Sequence, residues 1–333
     1  MRQISRTSRR SSTALRAAWC LGPLLLAVAA CGDDAPAEGP PDPGAAKPLP
    51  PVLMPPASGV QIASPEFVLQ PGEEVFKCYH TTVPVDTEVA VNRFKSVMTP
   101  GSHHLILYGM QEAGAPDGTF EDCGRQAGTP SLKSLRVWLY ASQKPEDGSV
   151  LPEGVAMPFK ARQPVMLNLH YLNASSKPLT VRAAVNAEYV SGSYQRAGAF
   201  ITFNTNIAIP AQGTQTVSGR CKLPAGGKFF SLSTHSHRYT TSADVSLWQG
   251  GKMMQELVST NDWEHPTIRR WEDPFLTAQA GQELQYSCAY KNTTDQVIKV
   301  GESASEDEMC MAIGYYFPAT KNTFCLNSNT ISL

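Results

Sequence analysis

The 333 residues carry 28 Lys and Arg against 29 Asp and Glu, a formal net charge of −1. No basic run occurs beyond the first sixteen residues, so the balance gives no footing for nucleic acid, which is excluded as a partner. The length points to more than one domain. The 25 Gly and 26 Pro, with no long apolar stripe of helical period, point to short strands joined by turns.

The chain opens as a targeting segment. Arg2, Arg6, Arg9, Arg10 and Arg16 form a basic region, and the apolar stretch Leu21 to Ala30 follows. That stretch is too short to span a bilayer as a helix and suits the core of a signal peptide, residues 1–30. It ends Val28-Ala29-Ala30-Cys31, which resembles a lipobox, with Cys31 as the lipidated residue of an exported, membrane-anchored protein on the outer membrane or another periplasmic or cell-surface face. Residues 31–57 are rich in proline and form a tether that cannot bury a core.

From about Val60 the pattern changes to short alternating segments. Leu105–Tyr108 and Leu135–Tyr140 read as strands. In Val165–Tyr171, Val165, Leu167, Leu169 and Tyr171 share one face and Met166, Asn168 and His170 the other. Ala199–Phe203 follows. In Phe229–His237, Phe230, Leu232 and Thr234 oppose Ser231, Ser233, His235 and His237. Val245–Trp248, Leu284–Tyr290 and Ala312–Phe317 complete the series. The expected fold is all-β, with two tandem antiparallel β-sandwich, jelly-roll-like domains over residues 58–190 and 191–333.

Two cysteines, Cys20 and Cys31, fall in or next to the signal. The other six, Cys78, Cys123, Cys221, Cys288, Cys310 and Cys325, are an even number in an exported chain and read as disulfides. Spacing leaves all of their connectivities open. Of the seven histidines, four form tight pairs, His103-His104 and His235-Ser-His237. The second pair shares one strand face, so both imidazoles can reach one ion. Neighbours such as His103 and His104 point to opposite faces unless the strand is distorted, for which Gly101 supplies a means.

Four segments occur in order: Gly101-Ser-His-His-Leu-Ile-Leu-Tyr-Gly109, Asn168-Leu-His-Tyr171, Ser233-Thr-His-Ser-His237 and Asp307-Glu-Met-Cys310. They resemble the metal-site segments of the copper type II, ascorbate-dependent monooxygenases, the family of peptidylglycine α-hydroxylating and dopamine β-monooxygenases. The similarity runs from about Pro65 to Cys325 and includes Ser287-Cys-Ala-Tyr290 and Tyr315-Tyr316. It implies two copper ions, one held by His103, His104 and His170, the other by His235, His237 and Met309. The second set would be the catalytic one, with O₂ and ascorbate or a similar reductant as co-reactants. Imidazole serves both copper oxidation states, and a thioether favours the reduced one. The resemblance also implies the pairs Cys78–Cys123, Cys221–Cys325 and Cys288–Cys310. The partners of a further family disulfide fall on Met110 and Gly128 and are both absent here.

The departures bear on substrate. Ser233, Met311 and Ile313 stand where peptide-amidating members hold a peptide carboxylate with Arg, Asn and Tyr. A small-molecule substrate without a carboxylate near the reacting carbon is therefore expected. Phe76 replaces a Tyr near the first copper, and Asn168 replaces a Gln. Arg238 follows the second histidine pair but points away from its face if the strand is regular. The alternatives are a copper-sequestering envelope lipoprotein without turnover, and a binding protein whose histidines are structural.

Overall fold

A computed structural model describes residues 53–123 and 137–332. The signal segment, Cys31, most of the tether, Gly128 and Leu135 lie outside the described residues. Those residues are all-β, and every strand pairing but two is antiparallel.

Two sheets are built from the chain before Ala197. One runs β1 (Gly59–Ala63), β12 (Ala183–Val190), β4 (Val89–Met98), β9 (Val155–Phe159) and β13 (Gln195–Arg196), with β8 (Glu146–Val150) also on β4. The other runs β6 (Phe120–Asp122), β3 (Glu74–Thr82), β10 (Pro164–Leu172), β5 (Ser102–Gly109) and β7 (Val137–Ser142). A two-stranded ribbon pairs β2 (Phe67–Leu69) with β11 (Leu179–Val181). The alternation in β10 places Leu167, Leu169 and Tyr171 in one core with Phe94 and Val91 of the facing sheet. Met166 falls on the opposite face, in a separate cluster with Cys78, Ile106 and Tyr108.

Two further sheets use only residues after Ala197. One runs β20 (Arg269–Arg270), β17 (Lys228–Ser236), β24 (Cys310–Phe317), β14 (Gly198–Phe203), β25 (Thr323–Leu326) and β26 (Asn329–Ser332), with β21 (Leu276–Thr277) also on β17. The other runs β16 (Thr214–Lys222), β22 (Gln282–Lys291), β18 (Thr240–Gln249) and β19 (Lys252–Thr260). The ribbon β15 (Ala208–Ile209) with β23 (Ile298–Lys299) closes the set. Phe200, Phe229, Leu232 and Ala312 meet Val245, Leu284 and Tyr286 in the second core.

The simple alternation expected for Phe229–His237 fails at one point. The β17–β24 register shifts between Phe229 and Ser231, so Phe230 is the bulged residue. Phe229 and Leu232 both enter the second core, while Phe230 packs with the first sandwich. A bulge re-aims a side chain in this way without ending the strand. Between the sandwiches the outer faces of two sheets meet. Ala199, Ile201, Phe203 and Met311 form an apolar cluster on the second, and Trp138 of β7 packs both there and against Tyr108 of the first.

Three disulfides join Cys78–Cys123, Cys221–Cys325 and Cys288–Cys310, the pairs the resemblance implies, and mark a protein of an oxidising compartment. The last two tie the sheets of the second sandwich together, from β16 to β25 and from β22 to β24. They close loops of 104 and 22 residues. If restriction of the unfolded chain dominates, the longer loop stabilises by about 1.4 kcal/mol more. Urea unfolding should therefore rank Cys221→Ala/Cys325→Ala as less stable than Cys288→Ala/Cys310→Ala, and the reverse order would refute a chain-entropy origin.

Candidate metal centre

His104 lies on β5 directly opposite His170 on β10, but the register then jumps, with Tyr171 facing Ser102. His103 is thus the bulged residue, and Gly101 before it takes a φ of +93°, open to glycine but strained for other residues. This distortion lets neighbouring imidazoles converge. The ring centroids are 5.1 Å apart for His103 and His104, 4.9 Å for His103 and His170, and 5.1 Å for His104 and His170. One ring nitrogen from each lies within 4.8 Å of the others.

The second group follows strand register. Opposite residues of an antiparallel pair share a face, and β17 and β24 pair Ser233 with Ile313, His235 with Met311 and Ser236 with Cys310. Ser233 and His235 therefore share a face with Ile313 and Met311, and His237 and Met309 are the next residues beyond the paired register. The His235 and His237 rings are 5.3 Å apart and perpendicular. Met309 is half-buried, packs against the Ala199, Ile201 and Phe203 cluster, and has its carbonyl bonded by the Tyr290 hydroxyl at 3.0 Å.

These groups face one another across the junction of the sandwiches. The His104 and His235 rings are 5.8 Å apart, and Trp138 stands edge-on to His235 at 6.5 Å. Trp263, from the second half, lies 5.5 Å from the His103 ring. The remaining histidines are elsewhere in chemistry: His80 bonds Glu121 at 3.1 Å, and His265 bonds Asp262 at the surface.

Burial sets the charge of the imidazoles. It lowers His103 to about 3 and His235 to about 4, and holds His104 and His237 well below the usual histidine value; repulsion among the neighbouring rings adds to the effect. Neutral imidazoles are what metal coordination requires. Buried nitrogens ordinarily find partners, yet His103 Nε2, His104 Nδ1, His170 Nδ1 and His237 Nε2 are buried without one in the protein. The opposite nitrogens of two of these rings are held. His170 Nε2 donates to Glu74 Oε1 at 2.8 Å, and His237 Nδ1 donates to the Asp307 carbonyl at 3.2 Å. The bond on the opposite nitrogen fixes the tautomer and leaves each free nitrogen with its lone pair available. Phe76 stacks on His170 with centroids 4.0 Å apart. The Asn168 amide, on the same face, donates to the Cys78 and Cys123 sulfurs at 3.4 and 3.5 Å.

Two carboxylates escaped the sequence reading. Glu308, within the Asp307–Cys310 segment, is fully buried. It accepts the backbone N–H of His237 at 2.9 Å, of Tyr239 at 2.6 Å and of Met309 at 3.2 Å, with the Thr240 hydroxyl at 3.3 Å. It fastens the His237 turn to the Met309 segment. Burial raises it to about 7 despite these bonds. Glu74, the other, has no local signal in the sequence beyond being one of two adjacent acids. Arg238 stays off this face, with its guanidinium 5.4 Å from the Tyr239 ring.

Residues 195–332 match the family model described as the copper type II ascorbate-dependent monooxygenase C-terminal domain. The chain is 22% identical over 279 residues to tyramine beta-hydroxylase of Caenorhabditis briggsae, covering 76% of this chain and 47% of that protein. It is 22% identical over 285 residues to dopamine beta-hydroxylase of Canis lupus familiaris, covering 78% and 45%. For dopamine beta-hydroxylase of Rattus norvegicus the identity is 21% over 295 residues, covering 80% and 47%. The chain spans about half the length of these relatives.

Two expectations follow from the carboxylate and the imidazoles. Glu308→Gln sets an amide N–H against backbone donors and should cost about 1–3 kcal/mol in denaturant unfolding; no loss would mean that the buried carboxylate is not a structural tie. The second concerns pH. The unfolded chain protonates these histidines near 6.5, whereas folded His103 and His235 stay neutral down to about 3 and 4. The unfolded state then binds more protons in that window, and stability falls as pH drops below 6.5. Glu308, raised, works in the opposite sense between 4.5 and about 7, but is one group against four. The Tm of the metal-free protein should fall from pH 6.5 to about 4, and a Tm that rises instead contradicts the neutral-imidazole assignment.

Proposed function

We propose that this chain belongs to the copper type II ascorbate-dependent monooxygenase family, which the match of residues 195–332 and the similarity to the beta-hydroxylases support, and that it hydroxylates a C–H bond of a neutral small molecule. The observation that carries the reading is the pair of facing ligand groups, with four buried imidazole nitrogens lacking any protein partner. The donor set fits copper. His103, His104 and His170 would hold one ion, and His235, His237 and Met309 the other, with the thioether favouring the reduced state. Copper, when bound, supplies one-electron chemistry by which R–H, O₂, two electrons from ascorbate or a similar reductant and two protons become R–OH and water.

The chain's own part is to orient the substrate and exclude bulk water. A cavity of about 480 Å³ reaches both His104 and His235, a size suited to a small organic ligand. Trp138, Phe230, Ile313 and Tyr315 give it apolar walls. The Gln143 amide nitrogen lines it, buried and without a protein partner, and can donate to a carbonyl or hydroxyl of the substrate. Charges stand at the rim with opposed signs, Lys144 and Arg270 against Glu264, all three exposed. Ser233 and Ile313 are on the wall and Met311 lies behind it, so a carboxylate at the inner end would lack a paired charge at a cost of several kcal/mol. We further propose two copper-binding domains over residues 58–190 and 191–333, and export with anchoring through a lipid on Cys31.

The test is metal analysis together with O₂ consumption. The unaltered protein should hold two copper ions and consume O₂ with ascorbate and a neutral aromatic or aliphatic substrate. Met309→Ala should abolish turnover and keep the copper of the His103, His104 and His170 group. Copper binding without turnover on any C–H substrate would favour sequestration, and faster hydroxylation of a glycine-extended peptide would overturn the pocket assignment.

A further inference from the structure

Glu74 touches both sandwiches. It begins β3, opposite Leu172, and its side chain is mostly enclosed, with 12% exposed. Oε1 accepts from His170 Nε2 at 2.8 Å. Oε2 accepts from the Ser305 hydroxyl at 2.8 Å and from the Ser303 hydroxyl at 3.5 Å. Those serines belong to the second half, in the segment between β23 and β24. There the Asp307 N–H donates to the Ser303 carbonyl at 2.9 Å, and the Asp307 carbonyl accepts from His237 Nδ1. One hydrogen-bonded path therefore runs from His170 to His237 through Glu74, Ser303 and Asp307. At each end it takes one imidazole nitrogen and leaves the other, His170 Nδ1 or His237 Nε2, buried and unpartnered.

We propose that Glu74 is a positioning residue that fixes the tautomer of His170 and ties that setting to the seating of the second sandwich. The inference rests on the metal-ligand reading of His170 given above. A carboxylate in this enclosure needs partners for both oxygens. One oxygen takes the imidazole, and the serines of the other half supply the partners for the second. Loss of the serine hydroxyls removes the two donors that come from the other half, and the carboxylate is then held less firmly against His170. A carboxylate behind a ligating imidazole sets both the orientation and the basicity of the ring. The first ligand group is thus complete only when the second half is docked.

The experiment uses full-length protein and four forms: unaltered, Glu74→Ala, Glu74→Gln and Ser303→Ala/Ser305→Ala. In the metal-free protein, ¹⁵N-histidine NMR should show His170 protonated at Nε2 in the unaltered form and in Glu74→Gln, whose amide oxygen still accepts. It should show a tautomer mixture in Glu74→Ala. Copper(II) titration followed by EPR should weaken the His103, His104 and His170 site about 10–100-fold in Glu74→Ala. Glu74→Gln should restore most of that affinity. The double serine variant should alter the EPR parameters of this site although both substitutions lie in the other half. A His170 tautomer and first-site affinity unchanged in Glu74→Ala would overturn the positioning role. An unchanged first-site spectrum in the serine variant would overturn the link between halves. Absence of copper binding by the unaltered protein overturns the proposed function instead, and the NMR arm still decides whether Glu74 orients His170. If Glu74→Ala does not fold, the serine variant and Glu74→Gln carry the comparison.

Discussion

The burial of two outer sheet faces against each other is the constraint from which the site follows. An antiparallel sheet in a sandwich commonly gives one face to the core and the other to water. Here β10 is buried on both faces over most of its length, and β14 over all of it. The outer faces carry His104 and His170 on one side and His235, Met311 and Ile313 on the other. Their closure removes water from His104 and His235, which makes the neutral form of those two rings the stable one, and it leaves nitrogens of His104 and His170 that the protein does not satisfy. A soluble face with the same residues would hold hydrated, readily protonated histidines and would have no such demand for a metal.

Two acids hold these groups in place by hydrogen bonds. Glu308 is enclosed by four donors, three of them backbone N–H groups. It joins the end of β17 to the start of β24 and thereby holds His237 near Met309. Cys288–Cys310 reinforces the same segment from the β22 side. Glu74 plays the corresponding part for the first group, with the difference that its second oxygen is met from the other sandwich. Both acids act on the proposed ligand residues through hydrogen bonds to a ring nitrogen or to the backbone, the way outer groups ordinarily tune a metal site.

The cavity beside these groups shows where the chain departs from the peptide-binding pattern its motifs resemble. Apolar and aromatic side chains supply much of the wall, the Gln143 amide and the Thr234 hydroxyl line it without a protein partner, and the charged groups are exposed Lys144, Arg270 and Glu264 with half-buried Asp147. Arg238, the one cation next in sequence to the second histidine pair, is occupied by the Tyr239 ring. The position of a charge relative to the cavity, more than its presence in the sequence, limits the substrate classes that fit.

Much of this was legible in the residues. Alternation placed the strands, since side chains of period two must divide between a core and an opposite face, as in Val165–Tyr171. The His235-Ser-His237 spacing put two imidazoles on one face for the same reason, and Gly101 marked the distortion needed at His103. The alternation misplaced Phe230, because a bulge arises from pairing with β24 and leaves no mark in the strand's own sequence. Glu74 illustrates the deeper limit. Its partner Ser305 is 231 residues away, and nothing local distinguishes it from the adjacent Glu73, which ends at the surface. The sequence by itself determined most strands and their apolar faces and singled out the clustered histidines, because these depend on short-range periodicity and side-chain chemistry. The tertiary structure alone decided which acid meets which histidine and what the cavity encloses, because those contacts form only where two separately folded faces close on each other.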